Sequence, residues 1–499
     1  MLQNYCQRKN LLSTPMTTQR VNASFGMHSI FSAGRIGWIL SVSIIGLTSC
    51  ALGPEYSRPP TPVPSAWNDQ QGNAAVWPST AWWYGFSSPE LNNLITKAQR
   101  GNLDIAAAIA RVQQADAQAR IAGAPLLPSV NATMTAAHDR SVAAGTSSIG
   151  QTYKQYTPLL NASYELDFWG KNRAAHESAR ATAAASRYDR ATIELTIMTE
   201  VAGAYFQALQ LQDRLNIAQE NQDNAESTLK GLQAEMAAGT ATSLDVAQQD
   251  VTVATLSAAI PPLRQQLRQT IDELAILVGQ APEKFDIPPG TLIHLSEPVV
   301  RPGLPSELLA RRPDVAEAEA QLIAANANIK VARASFLPSI NLTASGGYES
   351  ASLARVLSPA GAVFSLTAGI AQPIFEGDAL EGQYDFSKAR YTELLANYHK
   401  AVISAFGNVE DALTALRQTI DQQREQQKGV DKAQLSYDLA MTQFHAGTIN
   451  ILTLLNTENA LFTARDALVQ VRLSHLQALL QLYNALGGGW PQMQGEKYD

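Results

Sequence analysis

Residue types that could do chemistry are thinly spread along this chain. None of its seven histidines pairs with another at i, i+3 or i, i+4, the spacing that sets two imidazoles on one helical face over a zinc ion. His475 falls on the apolar stripe Leu468, Val471, Ala478, Leu482 and Ala485, where a packed histidine is expected rather than a ligand. Gly487-Gly488-Gly489 lacks the Lys-Ser/Thr that completes a phosphate-binding loop and reads as a helix stop before a polar tail. No nucleophile elbow and no paired-carboxylate motif stands out, so the chain is expected not to be an enzyme and to need no metal. What remains is one thiol, Cys50, positioned for acylation behind Leu47, Thr48 and Ser49. The other cysteine, Cys6, lies upstream in a segment expected to be discarded, so no disulfide framework is available.

Composition sets the compartment. The chain has 499 residues, 45% hydrophobic and 16% charged, with a net charge of −7. It can bury substantial cores, and with no basic excess nucleic acid is not an expected partner. The apolar run Ile36 to Leu47 follows Arg35, is too short to span a bilayer, and ends in small residues, as the core of a signal peptide does. The cysteine that follows resembles the lipobox of bacterial lipoproteins. That resemblance implies cleavage of residues 1–49 and an acylated Cys50 at the mature N-terminus, the covalent lipid being the sole attached group. Ordinary secretory cleavage nearby, with Cys50 a bystander, is the alternative. Ala51 in place of aspartate resembles the pattern forwarded to the outer membrane. Met27 opens a better-proportioned signal peptide and is a candidate true start.

The elements that would carry these residues occur twice. A shift of 210 positions aligns Asp104 to Thr133 with Asp314 to Thr343 without a gap, and a shift of 208 aligns Gly239-Thr240 with Gly447-Thr448 and Gly279 with Gly487. After a lipidated N-terminal segment over 50–88, the body is therefore a tandem duplication, 89–280 and 306–487. A proline-rich linker, 281–305, separates the halves, and a tail, 488–499, follows.

Within each half the hydrophobic period changes from two to helical. Val130, Ala132, Met134 and Ala136 alternate with polar residues, as do Tyr156 to Phe168, Ile340 to Ala344 and Phe364 to Ile370, predicting strands at about 128–140, 153–168, 338–349 and 362–375. Ten residues is the length of a tilted membrane-crossing strand, and Phe168, Trp169, Phe336 and Phe375 at one end, with Tyr153 and Tyr348 at the other, suggest an interfacial girdle. A half-buried soluble sheet shares the alternation. Two long helices follow, 171–237 and 378–444, each about 100 Å if wholly helical. Their apolar stripes, Ile197 through Leu215 to Met236 and Leu395 through Leu416 to Phe444, keep steps of three and four and predict one coiled-coil seam used twice. Runs such as 91–124 and 243–278 are about half as long, so two end to end would match a long one. Tryptophans 67, 77, 82 and 83, among prolines, suggest a segment strapped outside the barrel.

Four strands leave two unpaired edges in lipid, so the chain must oligomerise. The expected fold class is thus a mixed α and β membrane protein. In it an outer-membrane β-barrel of four strands per chain runs into a long periplasmic α-helical coiled-coil barrel.

Cys50, Gly53-Pro54, Tyr56, Arg58-Pro59, the two Leu-Pro-Ser strand starts, Phe168-Trp169-Gly170, Ala446-Gly447-Thr448 and Ala485 to Trp490 together resemble the TolC-like outer membrane factor family, in its NodT/OprM-type lipoprotein branch. The resemblance covers essentially the whole mature chain. It implies a homotrimer with twelve strands in the outer membrane lipid, serving as the exit duct of a tripartite efflux system for drugs or other toxic small molecules. The implied partners are a periplasmic adaptor, which would dock at the helix tips around Gly239, Thr240, Gly447 and Thr448, and an inner-membrane transporter of the RND type. It also implies a periplasmic gate with Leu452 inward and Asn456 on the same axis by the i, i+4 rule. Relatives often carry aspartate where Asn456 stands, which puts charge gating in doubt, although Asp245, Asp250 or Glu458 could supply carboxylates nearby. A duct for type I protein secretion shares every feature used here, and a lipid-anchored coiled-coil scaffold without a pore is the remaining alternative.

Overall fold

The computed structural model describes residues 55–68, 75–141 and 151–490; the signal segment, Cys50 and the end of the tail lie outside them. The first half runs α1 (Pro89–Gly101), α2 (Leu103–Gly123), β1 (Ser129–Ser141), β2 (Gln151–Glu165), α3 (Lys171–Ala237) and α4 (Ser243–Leu277). The second runs α5 (Pro313–Ala334), β3 (Ser339–Tyr348), β4 (Ala362–Ala371), α6 (Ala379–His445) and α7 (Ile451–Ala485).

The four strands form one antiparallel sheet in the order β1-β2-β3-β4, with β1 and β4 at its edges. Its register sorts the side chains by chemistry. Val130 lies opposite Ala162, Ala162 opposite Ala344 and Ala344 opposite Leu366, an apolar row across all four strands. One step along, Asn131, Asn161, Ser345 and Ser365 form a polar row. Because facing residues in a ladder project to one side, the sheet has one apolar and one polar face. The apolar face is bare: Phe364 is 90% and Leu366 80% exposed in the single chain.

Two strand ends differ from those expected. β2 stops at Glu165 rather than 168, because Asp167 turns to cap α3, its carboxylate accepting from the amides of Asn172 (2.9 Å) and Arg173 (2.8 Å). β4 stops at Ala371 rather than 375, where Pro373 has no amide hydrogen to continue a ladder. Tyr153, placed in the girdle by sequence, pairs with Asp139 on the polar face; Tyr156, opposite Ala136, occupies the apolar one.

α3 and α6 are 67 residues each, α4 and α7 35 each. The seam is visible residue by residue. Val201, Ala208, Ala225 and Leu232 in α3, and Val402, Ala405, Val409 and Ala412 in α6, are at most 3% exposed, whereas Met236, at the tip, is 41% exposed.

The run 91–124 is two helices, not one. Asn102 takes extended ψ (131°), its side-chain oxygen capping α2 by accepting from Asp104 and Ile105 and its Nδ2 donating 2.9 Å to Leu277 O at the end of α4. α4 therefore meets α2 end to end beside α3, the C-terminal carbonyls of one against the N-terminal amides of the next, a favourable alignment of dipoles. The second half repeats the joint: Arg312 Nη1 donates 3.0 Å to Ala485 O where α7 meets α5. A glycine makes each joint possible. A Cβ on Gly279 (φ 72°) would lie 2.0 Å from Gly101 O, and one on Gly487 (φ 83°) 2.0 Å from Arg311 O.

The main core gathers around these joints. Trp82 stacks on Tyr483 with ring centroids 4.9 Å apart, Phe86 packs on Phe206, and Trp67 packs on Phe406 while its Nε1 donates 2.7 Å to Gly303 O. The tryptophan-bearing N-terminal segment is thus strapped to the helices and not to the barrel strands, because these rings find their apolar partners there.

Gly279→Ala should lower the thermal midpoint clearly more than Gly239→Ala. Both residues have positive φ, which costs a non-glycine residue about 1–2 kcal/mol, but a Cβ at Gly239 (φ 83°) meets nothing within 4 Å. Equal shifts would refute the close approach at the joint.

Candidate functional site at the helix tips

The two tips are built from one backbone device. At the end of α3, the Gly239 amide donates to Met236 O (3.0 Å) and the Thr240 amide to Glu235 O (2.9 Å). At the end of α6, Gly447 donates to Phe444 O (2.9 Å) and Thr448 to Gln443 O (3.0 Å). Both are Schellman closures, which need a left-handed residue just past the helix and so select glycine. Each threonine hydroxyl also donates 3.0 Å to the same carbonyl as its own amide, Glu235 O or Gln443 O. The four docking residues named from sequence therefore sit at two equivalent, exposed turns.

The helices that return from the tips start differently. Thr242 and Asp245 form a capping box in which the carboxylate accepts from the Thr242 amide (2.8 Å) and hydroxyl (2.7 Å) while the hydroxyl accepts from the Asp245 amide (3.2 Å). These bonds hold the Asp245 carboxyl below the usual carboxylate range. Asp245 thus has a structural partner within its own turn. α7 begins on Asn450, whose side-chain oxygen accepts from the Thr453 amide at 3.0 Å.

Leu452 and Asn456 lie on one exposed face of α7, and Leu452 is 51% exposed. The neighbouring Ile451, Leu454 and Leu455, 5%, 1% and 5% exposed, bury a small core at the tip with Leu232 and Ala440. Leu452 therefore does not pack its own coiled coil.

Glu458 corrects the sequence reading. It is 1% exposed, in the seam with Leu454 and Leu461, and cannot share the open face of Asn456; two residues turn a helix by about 200°. Its Oε1 has no hydrogen-bond partner among the described residues. Burial pushes the carboxyl up to about 7, and Glu458 in turn helps burial raise the Tyr437 hydroxyl. The signal that locates it is its phase: it continues the stripe Ile451, Leu454, Leu461, Leu468.

Polar contacts that composition did not single out tie the tube together. Arg214 grips Asp466 with two bonds (2.6 and 3.1 Å) between the halves. Gln212 and Asp213 accept from the amides of Gly290 (2.7 Å) and Leu292 (3.0 Å), fastening the proline-rich linker to α3. Arg58 pairs with Glu319, anchoring the N-terminal segment to α5. His475, 4% exposed, shares a hydrogen bond with Thr419 (3.2 Å) and faces Glu297 at 3.5 Å.

An amphipathic sheet running into paired helices of this length, duplicated within one chain, defines a membrane duct with a tubular extension. The model of the outer membrane efflux protein family matches residues 94–280 and 304–488, one span per half, and the chain belongs to that family. It is accordingly an outer-membrane efflux channel with a periplasmic extension, a passive conduit and not an enzyme. It is 40% identical over 460 residues to the pyoverdine export outer membrane protein OpmQ of Pseudomonas aeruginosa, across 89% of this chain and 96% of that one. It is 32% identical to the toluene efflux pump outer membrane protein TtgC of Pseudomonas putida (92% and 96% covered) and 30% identical to the cation efflux system protein CusC of Escherichia coli (90% and 97%). Among solved structures, the outer-membrane channel OprN superposes with a TM-score of 0.81 at 26% identity (88% and 100% covered). The open-state MtrE channel of Neisseria gonorrhoeae superposes with 0.80 at 27% (89% and 99%).

The Glu458 carboxyl binds its proton more tightly in the folded protein than in the unfolded chain, whose ordinary value is 4.5. Its contribution to stability is therefore fully present below about pH 4.5 and is lost as pH rises through about 7. The thermal midpoint of Glu458→Gln should exceed that of the wild type at pH 8 and approach it at pH 5. A constant difference between the two proteins across that range would refute the buried neutral carboxyl.

Proposed function

We propose that three copies of the chain close a twelve-stranded barrel and that their helices continue it as a periplasmic tunnel, gated at the tips. The observation that carries this reading is the open sheet with a bare apolar face. In lipid, each unpaired edge group on β1 and β4 would cost several kcal/mol, and pairing β4 of one copy with β1 of the next removes every edge. Eight strands would leave an interior filled by side chains, whereas twelve can enclose a lumen.

In this assembly Leu452 and Asn456, turned away from their own protomer's core, face the axis and form the narrowest ring. Leu452 supplies an apolar constriction. Asn456 supplies a polar, uncharged one; Glu458 is buried in the seam, and Asp245, ionised and not buried, is held in its cap. The exposed turns at Gly239-Thr240 and Gly447-Thr448 are the docking points for a periplasmic adaptor, which joins the tunnel to an inner-membrane transporter of the RND type. A lipid on Cys50 anchors the mature N-terminus.

The cargo is a small molecule. The similarity to channels named for pyoverdine, toluene and cation transport favours this over protein secretion.

Native mass measurement in mild detergent should give three chains, and a stable monomer would return the chain to a scaffold. In planar bilayers Leu452→Asp should raise conductance several-fold by placing three like charges at the ring. Unchanged conductance would remove Leu452 from the gate. Cys50→Ser with a cleavable signal should still yield trimers, without attached lipid.

A further inference from the structure

The apolar face of the first hairpin does not end in apolar residues. Following its parity beyond Val130, Ala132, Met134 and Ala136 leads to His138 and Arg140, and on β2 beyond Tyr156 to Lys154. The ladder brings them together: Ala136 faces Tyr156, His138 faces Lys154, and Arg140 faces Thr152. All three basic side chains are exposed, and none makes an ion pair among the described residues. The connecting segment, 142–150, contains no acidic residue, so it brings no carboxylate to neutralise them. The acidic residue of this stretch, Asp139, projects to the polar face opposite Tyr153. Charge is thus sorted by face, cations toward lipid and the anion toward the lumen. The second hairpin carries no such cluster on its apolar face, whose strands end lower, at Tyr348 and Ala362, level by the register with Pro158 and Met134.

Depth places the cluster. At a rise of about 3.4 Å per residue and a tilt of about 40°, Arg140 stands roughly 26 Å above Val130 along the membrane normal. An apolar band is about 25 Å tall, so the cations lie at its far boundary. The helices leave from the other end of the sheet into the periplasm, which puts this boundary at the outer leaflet.

We propose that His138, Arg140 and Lys154 form a binding site, one per protomer, for the phosphate groups of an anionic, phosphorylated outer-leaflet lipid, whose acyl chains lie along Met134, Ala136 and Tyr156. This rests on the reading of the sheet as lipid-facing. Phosphate is the complement of a cationic cluster with no carboxylate partner, and the adjoining apolar stripe requires a ligand that carries hydrocarbon beside its phosphate.

The test uses the purified full chain, stripped of lipid and incubated in detergent with a diphosphorylated lipid A or with the same lipid after removal of its phosphates. Native mass spectrometry then counts bound lipid. The wild type should retain the phosphorylated form preferentially. Each of Arg140→Gln and Lys154→Gln should weaken retention about fivefold, and the double variant about twenty-five-fold, while Arg355→Gln in the second hairpin should retain it fully. Equal retention by the double variant, or of both lipids by the wild type, overturns the proposal. So does displacement of the lipid by millimolar inorganic phosphate, which would mark a free-anion site. If the double variant fails to assemble, the single variants carry the test. Failure of the lipid-facing reading itself has a separate signature, a wild type that forms no conducting channel in planar bilayers.

Discussion

Unpaired backbone groups cannot be left in hydrocarbon, and most of this molecule answers to that constraint. A four-stranded sheet with one apolar face has two edges, and no side chain on β1 or β4 can satisfy the amides and carbonyls along them. The strands are too few to curl into a barrel alone. Closure must come from other copies, and the helices that continue from the strand ends inherit that symmetry. A tube of helices then follows from the sheet without a separate instruction: each strand hands its position on the ring to a helix, so the two walls share one axis.

The helices solve a length problem that one ordinary helix pair could not. Opposite each 67-residue helix lie two shorter ones, and a break in a wall of stacked helices exposes carbonyls at one end and amides at the other. Both halves close the break alike, with a side chain from the start of the second helix, Asn102 or Arg312, donating to a last carbonyl of the first, Leu277 or Ala485. Gly279 and Gly487 let the backbones touch. The core is thickest at these joints, where the N-terminal tryptophans and the linker pack. That placement is mechanically sensible, since a joint held by one hydrogen bond and a glycine contact needs lateral support.

What could be read from the residues was whatever repeats along one element. The seams of α3 and α6 were legible because lateral packing over 67 residues imposes steps of three and four throughout. The strands were legible because lipid on one side and water on the other enforce strict alternation. Features set by contacts distant in sequence were not. The break at Asn102 has a local sign, Gly101 followed by an asparagine that caps the next helix, but what fixes its geometry is a carbonyl 175 residues away. The end of β2 depends on whether Asp167 continues the ladder or caps a helix, and the cap prevails because α3 would otherwise begin with unsatisfied amides. Proximity in sequence offers Glu458 as a carboxylate beside Asn456, whereas its phase relative to Leu454 and Leu461 places it in the seam.

Duplication makes the remaining differences between the tips informative. Both close with the same glycine and threonine, so the turn geometry is common to the two halves. They diverge just beyond it in how the returning helix is capped, α4 by the Thr242–Asp245 box with its ionised carboxylate and α7 by Asn450, while both present an outward leucine, Leu244 and Leu452. Beneath that face α7 also carries the buried carboxyl of Glu458, which no hydrophobic seam needs for packing. A helix start that is rigidly boxed suits a wall. The start of α7 instead anchors itself with Ile451, Leu454 and Leu455 in the small tip core and leaves an outward amide, Asn456, on its open face. The two halves share one architecture, and at the tips they differ in how each returning helix is capped and in which of its side chains are buried.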